Sequence, residues 1–133
     1  MTAVFADAFY YFALVNPADL RHGKAREITA NFTGSIVTTA WILTELGDGL
    51  AKAANRPLFL EIMSELRSDP DVRIAPPDAD LFEAGLALYR RRVDKDWSLT
   101  DCISFVVMER EGITHALTGD HHFEQAGFVA LLR

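Results

Sequence analysis

The sequence predicts an α/β fold in which helices cover the faces of a parallel sheet. Short apolar runs with β-branched content alternate along the chain with longer segments of helical period, the pattern of strands joined by crossover helices. Half of the 133 residues are hydrophobic and 24% are charged, enough apolar surface to offset the entropy of ordering a core. No linker, repeat or low-complexity stretch interrupts the alternation, so residues 1–133 are expected to form a single domain.

The first strand is expected over residues 2–6, followed by an aromatic segment at 9–14. A helix over 19–31 is opened by the start signal Asn16-Pro17. After the break at Gly34, Ile36, Val37 and Thr38 form a second strand, and Ile42, Leu46, Leu50 and Ala53 give the next helix one apolar face. Phe59, Ile62 and Leu66 mark a further helix. Residues 72–75 read as a third strand stopped by Pro76-Pro77. Phe82, Leu86, Tyr89 and Val93 then recur at helical spacing, as the inward face of another helix. From about 99 to 111 the chain is apolar nearly all round, so this helix should be deeply buried, with Gly112 ending it. Residues 113–117 and 128–132 supply the last two strands, joined by a loop carrying Thr118-Gly119-Asp120-His121-His122-Phe123.

Composition narrows the functional classes. The longest apolar run, residues 9–15, is far short of the ~20 residues of a membrane span, and the N-terminus shows no basic segment leading into an apolar one. The single cysteine, Cys102, permits no internal disulfide, so the reducing cytoplasm is the expected compartment. A net charge of −6 disfavours indiscriminate binding to nucleic acid, so any such contact must rest on local patches or a bridging metal.

Open α/β sheets bind ligands beyond the carboxyl ends of their strands, so the acids that follow strands are the ones to inspect. Asp7 follows the first strand and Asp120 comes shortly after Leu117; Asp101 opens the buried helix, and Glu45 lies on the helix after the second strand. At 100° per residue Glu45 falls about 60° off the edge of its helix's apolar stripe and can look inward, whereas Asp48 falls toward solvent. Each acid also has an ordinary role open to it. Asp7 can cap a helix starting at Ala8, and Asp101 with Ser98 has capping-box spacing. Glu45 can sit on a rim, and Asp120 can bond its own backbone in a turn. The coincidence of all four at one sheet edge favours a site. Carboxylates crowded into one cleft repel unless a cation neutralises them, and all-oxygen ligands select Mg²⁺ or Mn²⁺, ions suited to phosphate ester chemistry.

The segments Val4-Phe5-Ala6-Asp7, Thr44-Glu45-Leu46, Ser98-Leu99-Thr100-Asp101-Cys102-Ile103-Ser104 and Ala116-Leu117-Thr118-Gly119-Asp120-His121-His122-Phe123 resemble the PIN domain family, and within it the small VapC-type toxins of bacterial toxin-antitoxin pairs. The resemblance runs nearly end to end. It implies a three-layer α/β/α sandwich with a central parallel sheet of about five strands and an endoribonuclease that depends on Mg²⁺ or Mn²⁺. Asp7, Glu45, Asp101 and Asp120 would be the catalytic and metal-binding quartet, with Thr118 as a supporting hydroxyl. RNA would be the substrate and an antitoxin protein the partner, with a homodimer a further expectation. Ala8, Phe9 and Tyr10 stand where many relatives have Ser, Thr or Asn. Two other readings are a catalytically silent PIN-like binding module and a receiver-like signalling domain; the latter calls for an extra acid pair after the first strand and a late lysine, which the sequence lacks.

Other features read more plainly. Arg21, His22, Lys24 and Arg26, the densest basic stretch, follow Asp7 closely enough to steer RNA phosphates, yet each, like Arg90, Arg91 and Arg92, is read first as part of a solvated helix face with no individual role. Adjacent His121 and His122 are expected to point apart in a loop, which argues against zinc and leaves a supporting role beside Asp120 open to them. Cys102 reads as a buried, inert thiol. The aromatics Phe9, Tyr10, Tyr11 and Phe12 suit either core or a surface for an antitoxin or a second copy.

Overall fold

The computed structural model describes residues 2–133. Five strands, β1 (Ala3–Ala6), β2 (Ser35–Thr39), β3 (Val72–Ala75), β4 (His115–Leu117) and β5 (Val129–Ala130), form one all-parallel sheet in the order β3-β2-β1-β4-β5. Seven helices flank it: α1 (Ala8–Val15), α2 (His22–Asn31), α3 (Ala40–Gly49), α4 (Arg56–Ser68), α5 (Ala79–Arg91), α6 (Leu99–Glu111) and α7 (His121–Gln125). Alternate residues of β1 point to opposite layers, as the period of a strand requires. Phe5 joins a core with Ile103, Phe105 and Phe123, while Val4 and Ala6 join a second core with Tyr10, Leu46 and Ile62. The expected α/β/α sandwich is therefore the observed architecture.

Strand order reverses direction around β1, which is flanked by β2 and β4. Sheets of this kind hold ligands in a crevice at such a switch point, here beyond the carboxyl ends of β1 and β4. The backbone N–H of Asp7 donates to Leu117 O (3.3 Å), so the two strands stay paired up to the rim of that crevice. A buried Thr38 hydroxyl donates to Ala6 O (2.8 Å) and Thr39 accepts from the N–H of Ile42 as the cap of α3, which ties α3 to the same edge.

β3 and α6 have the bounds the sequence predicts, and elsewhere the differences have local causes. The aromatic segment at 9–14 is a helix, α1, and it is no open patch: Tyr10 and Tyr11 are buried and Phe9 and Phe12 pack against them. The helix expected from residue 19 begins only at His22. Asn16 Oδ1 accepts from the N–H of Ala18 and Asp19 Oδ1 from that of Arg21, two side-chain turns that compete with the helix over its first residues. The α3 stripe stops at Leu50, and Ala53 is exposed in a separate 3₁₀ turn, Ala53–Asn55.

The largest correction concerns α5. Phe82, Tyr89 and Val93 are exposed (38%, 49% and 84%), and the inward face is carried by Leu81 and Gly85 with Leu88 half-buried. Gly85 decides the rotation. A Cβ there would meet the side chain of Ile103 and lie 3.1 Å from its Cα, so the missing side chain lets α5 and α6 close together along that line. The strands expected at 2–6, 113–117 and 128–132 are each shorter. At the fourth, Gly112 in the left-handed conformation (φ 66°) turns the N–H of Ile113 back onto Met108 O (2.9 Å), which uses that residue to close α6.

Candidate functional site

The four expected acids lie in one neighbourhood at the switch point. Asp7 is the deepest. It occupies the N-cap position of α1, yet its side chain makes no capping bond to that helix. Instead its Oδ2 accepts from the hydroxyl of Thr118 (2.8 Å), which in turn accepts from the backbone N–H of Asp120 (3.1 Å). The Asp7 carboxyl is 6% exposed, and burial raises its pKa from 3.8 to about 7. The Thr118 bond opposes this rise, and the neighbouring Asp101 and Glu45 charges add to it.

Asp101 serves two roles at once. Ser98 and Asp101 form the capping box of α6, with the side chain of Ser98 accepting from the N–H of Asp101 (2.9 Å) and Asp101 Oδ2 from that of Ser98 (3.1 Å). The same Oδ2 faces the ring of His122, 3.2 Å from Nδ1. Burial raises the Asp101 pKa, the Ser98 bond opposes it, the Asp120 charge adds to it and His122 counters. Asp120 takes its turn geometry, with Oδ1 accepting from the N–H of His122 (2.9 Å) as the cap of α7. Glu45 stands at the exposed rim, where partial desolvation and then the charges of Asp101, Asp120 and Asp48 raise its pKa.

Two expectations about the histidines are overturned. Residues 121–125 are a helix, not a loop, and the two rings do not point apart: their centroids are 4.4 Å apart, and His121 Nδ1 and His122 Nδ1 lie 3.7 and 3.4 Å from Asp120 Oδ1. The turn that Asp120 makes onto the N–H of His122 bends both rings back over the acid. His122 lies between Asp101 and Asp120, in the supporting position beside the acids that the sequence left open to the two histidines. The one signal for it was the turn-forming Asp120 immediately upstream. Cys102 is fully buried, as expected, and burial raises its thiol pKa.

Among the described residues, no lysine or arginine pairs with Asp7, Glu45, Asp101 or Asp120; the basic side chains that pair with these acids are His121 and His122. Buried carboxylates that share a site without a fixed cation either hold protons or hold a metal ion. The donor set, carboxylate oxygens with the imidazoles of His121 and His122 beside Asp120, fits a divalent cation. Replacing Thr118 with Val removes the donor that opposes the high pKa of Asp7 and should weaken divalent-ion binding at neutral pH by roughly 10–100-fold. Calorimetric titration with Mn²⁺ checks this, and an unchanged affinity would show that the hydroxyl does not hold the carboxylate for a metal.

Residues 6–129 match the family model for the PIN domain. The 23S rRNA-specific endonuclease VapC20 of Mycobacterium tuberculosis is 30% identical over 126 residues, 95% of each chain. Its crystal structure, described as that of a Sarcin-Ricin loop cleaving toxin, superimposes with a TM-score of 0.86 and covers 95% of this chain and 96% of that one. FitAcB from Neisseria gonorrhoeae, 17% identical, shares the fold with a TM-score of 0.65 over 96% of this chain and 94% of its own.

Proposed function

This chain belongs to the PIN domain family, and on that premise we propose that it is a metal-dependent endoribonuclease, the toxin of a toxin-antitoxin pair, that hydrolyses RNA at the carboxylate cluster. The observation that carries the reading is the gathering of Asp7, Glu45, Asp101 and Asp120 from four distant segments with, among the described residues, no lysine or arginine paired with them. The likeness to VapC20 makes large-subunit ribosomal RNA the first substrate to test.

Asp7, Asp101 and Asp120 are the residues to hold Mg²⁺ or Mn²⁺, with Glu45 completing the set. Bound there, such an ion supplies charge to stabilise the phosphate in the transition state and lowers the pKa of a water molecule. The protein's part is orientation. Thr118 fixes one oxygen of Asp7 and leaves the other, the Ser98 N–H fixes Asp101, and the His122 N–H fixes Asp120. Glu45, open to solvent and raised in pKa, is the carboxylate placed to exchange a proton with water.

The partner is an antitoxin segment. An apolar groove of about 820 Å³ between α3, α4 and the end of β3, lined by Leu43, Phe59, Leu60 and Met63, supports this, since it borders the helix that carries Glu45. The exposed Phe82 and Tyr89 of α5, with Val93 just beyond its end, support pairing with a second copy. No helix among the described residues is long and apolar enough to cross a membrane; the cytoplasm is the compartment this reading calls for, because its substrate is RNA.

Purified protein incubated with ribosomal RNA and Mn²⁺ should release discrete fragments, lose that activity in excess chelator and regain it when Mn²⁺ is restored. Cleavage that persists in chelator would contradict the metal-dependent reading.

A further inference from the structure

Adjacent histidines that pointed apart could not share an ion, but the turn at Asp120 brings the two rings of α7 together, their centroids 4.4 Å apart. We infer that His121, His122, Asp101 and Asp120 form a four-donor zinc site that switches the carboxylate cluster off; the switching, though not the binding, rests on the nuclease reading. Spacing carries it. In a tetrahedral site with metal bonds of about 2.0–2.2 Å, neighbouring donors stand roughly 3.3–3.6 Å apart. His122 Nδ1 lies 3.2 Å from Asp101 Oδ2 and 3.4 Å from Asp120 Oδ1, and His121 Nδ1 lies 3.7 Å from Asp120 Oδ1. One donor from each of Asp120, His121 and His122 lies within 4.8 Å of the other two. The four side chains are thus linked in a row, each step close to a tetrahedral edge.

Donor chemistry selects the ion. Two imidazoles and two carboxylates suit Zn²⁺, which has no geometric preference from its d-electrons and takes the tetrahedral frame the side chains offer. Mg²⁺ instead requires near-ideal octahedral geometry from oxygen ligands. Both carboxylate oxygens are already aimed, since the N–H of Ser98 donates to Asp101 Oδ2 (3.1 Å) and that of His122 to Asp120 Oδ1 (2.9 Å). His121 is exposed, His122 and Asp120 are half-buried and Asp101 is buried, so the donors lead inward from solvent and an ion has a way in. With four side chains on one zinc ion no position is left for water, whereas a catalytic zinc has three protein ligands and an open fourth position. Asp101 and Asp120, two of the four acids proposed to hold Mg²⁺ or Mn²⁺, are withdrawn at the same time. Zinc bound here therefore silences cleavage.

The test compares the native protein with H121N/H122N. Sites of nitrogen and oxygen donors generally bind Zn²⁺ more tightly than Mn²⁺, so the diagnostic is the share of the Zn²⁺ affinity that the two imidazoles supply. Calorimetric titration of the double variant should show Zn²⁺ affinity lower by roughly 100-fold or more, beyond the ~10–100-fold that losing a group one step out from a metal costs, and Mn²⁺ affinity lower by less than about tenfold. Co²⁺ standing in for Zn²⁺ gives a reading on the native protein alone: the strong visible absorption of a tetrahedral ion is expected, and the weak spectrum of a six-coordinate ion overturns the site. Zn²⁺ added to cleavage of ribosomal RNA in Mn²⁺ should slow the native protein by about tenfold or more at concentrations that slow H121N/H122N less than about twofold. Native Zn²⁺ affinity in H121N/H122N also overturns the site, and equal slowing of both proteins overturns the switch. Zinc bound through the imidazoles of a protein that cuts RNA with no ion would sink the nuclease reading and leave the zinc site standing. Cleavage in Mn²⁺ by a protein whose zinc affinity ignores the histidines would do the reverse.

Discussion

Asp7→Asn is expected to abolish RNA cleavage and, at the same time, to stabilise the metal-free fold above neutral pH. The loss follows from removing the most buried of the proposed metal ligands. About 4 kcal/mol of transition-state stabilisation from the ion corresponds to roughly 10³-fold in rate, and that much or more should disappear. The gain in stability follows from the carboxyl's raised pKa. The folded chain holds the Asp7 proton up to about pH 7, whereas the unfolded chain loses it near 3.8. Between those values the folded state binds more protons, so its stability falls as pH rises, and above pH 7 the contribution is fully lost. At ~1.4 kcal/mol per pH unit this amounts to about 4 kcal/mol, and the amide carries none of it. Denaturant melts at pH 5 and pH 8 should therefore show the variant gaining on the native protein at the higher pH, with Mn²⁺ restoring the native protein and not the variant. A pH-independent difference between the two would mean that Asp7 does not hold its proton.

Phe123→Ala should be the most damaging change outside the site. Phe123 is fully buried where β1, α6 and α7 meet, its ring edge-on to Phe105 at 4.9 Å and 6.3 Å from Phe5. Truncating a core phenylalanine costs about 3–5 kcal/mol, against a whole-domain stability of about 5–15. A fall in melting temperature on the order of 10–15 °C is expected for a chain of this length. Because the same ring seats the helix that begins at Asp120, activity at permissive temperature should fall as well. Melting by calorimetry alongside an activity assay checks both, and a shift of only a degree or two would mean that the aromatic cluster does not hold α7 in place.

Much of the fold was legible because it rests on local signals. β3 is a short alternating run, Val-Arg-Ile-Ala, closed by two prolines, and α6 has a capping box at Ser98 and a left-handed glycine at 112, so both ends of that helix are written into adjacent residues. The four acids could be found because strand ends locate the ligand-binding edge of a parallel sheet. What was misread depends on packing between distant residues. The face of α5 turns on the space that Gly85 leaves for Ile103, and periodicity alone favours the larger apolar side chains Phe82 and Tyr89. His122 enters the site where the Asp120 side chain accepts from its N–H and caps α7, a local turn that residue spacing does not carry.

A divalent ion shared by side chains that are far apart in the chain is the centre of the proposed chemistry. A crystal grown with Mn²⁺, with anomalous scattering recorded at the manganese edge, tests this most directly. The expected result is a peak bounded by the carboxylates of Asp7, Glu45, Asp101 and Asp120 in the native protein and its loss in Asp7→Asn. A map with no peak among those four carboxylates, from a protein that still cuts RNA, would contradict it.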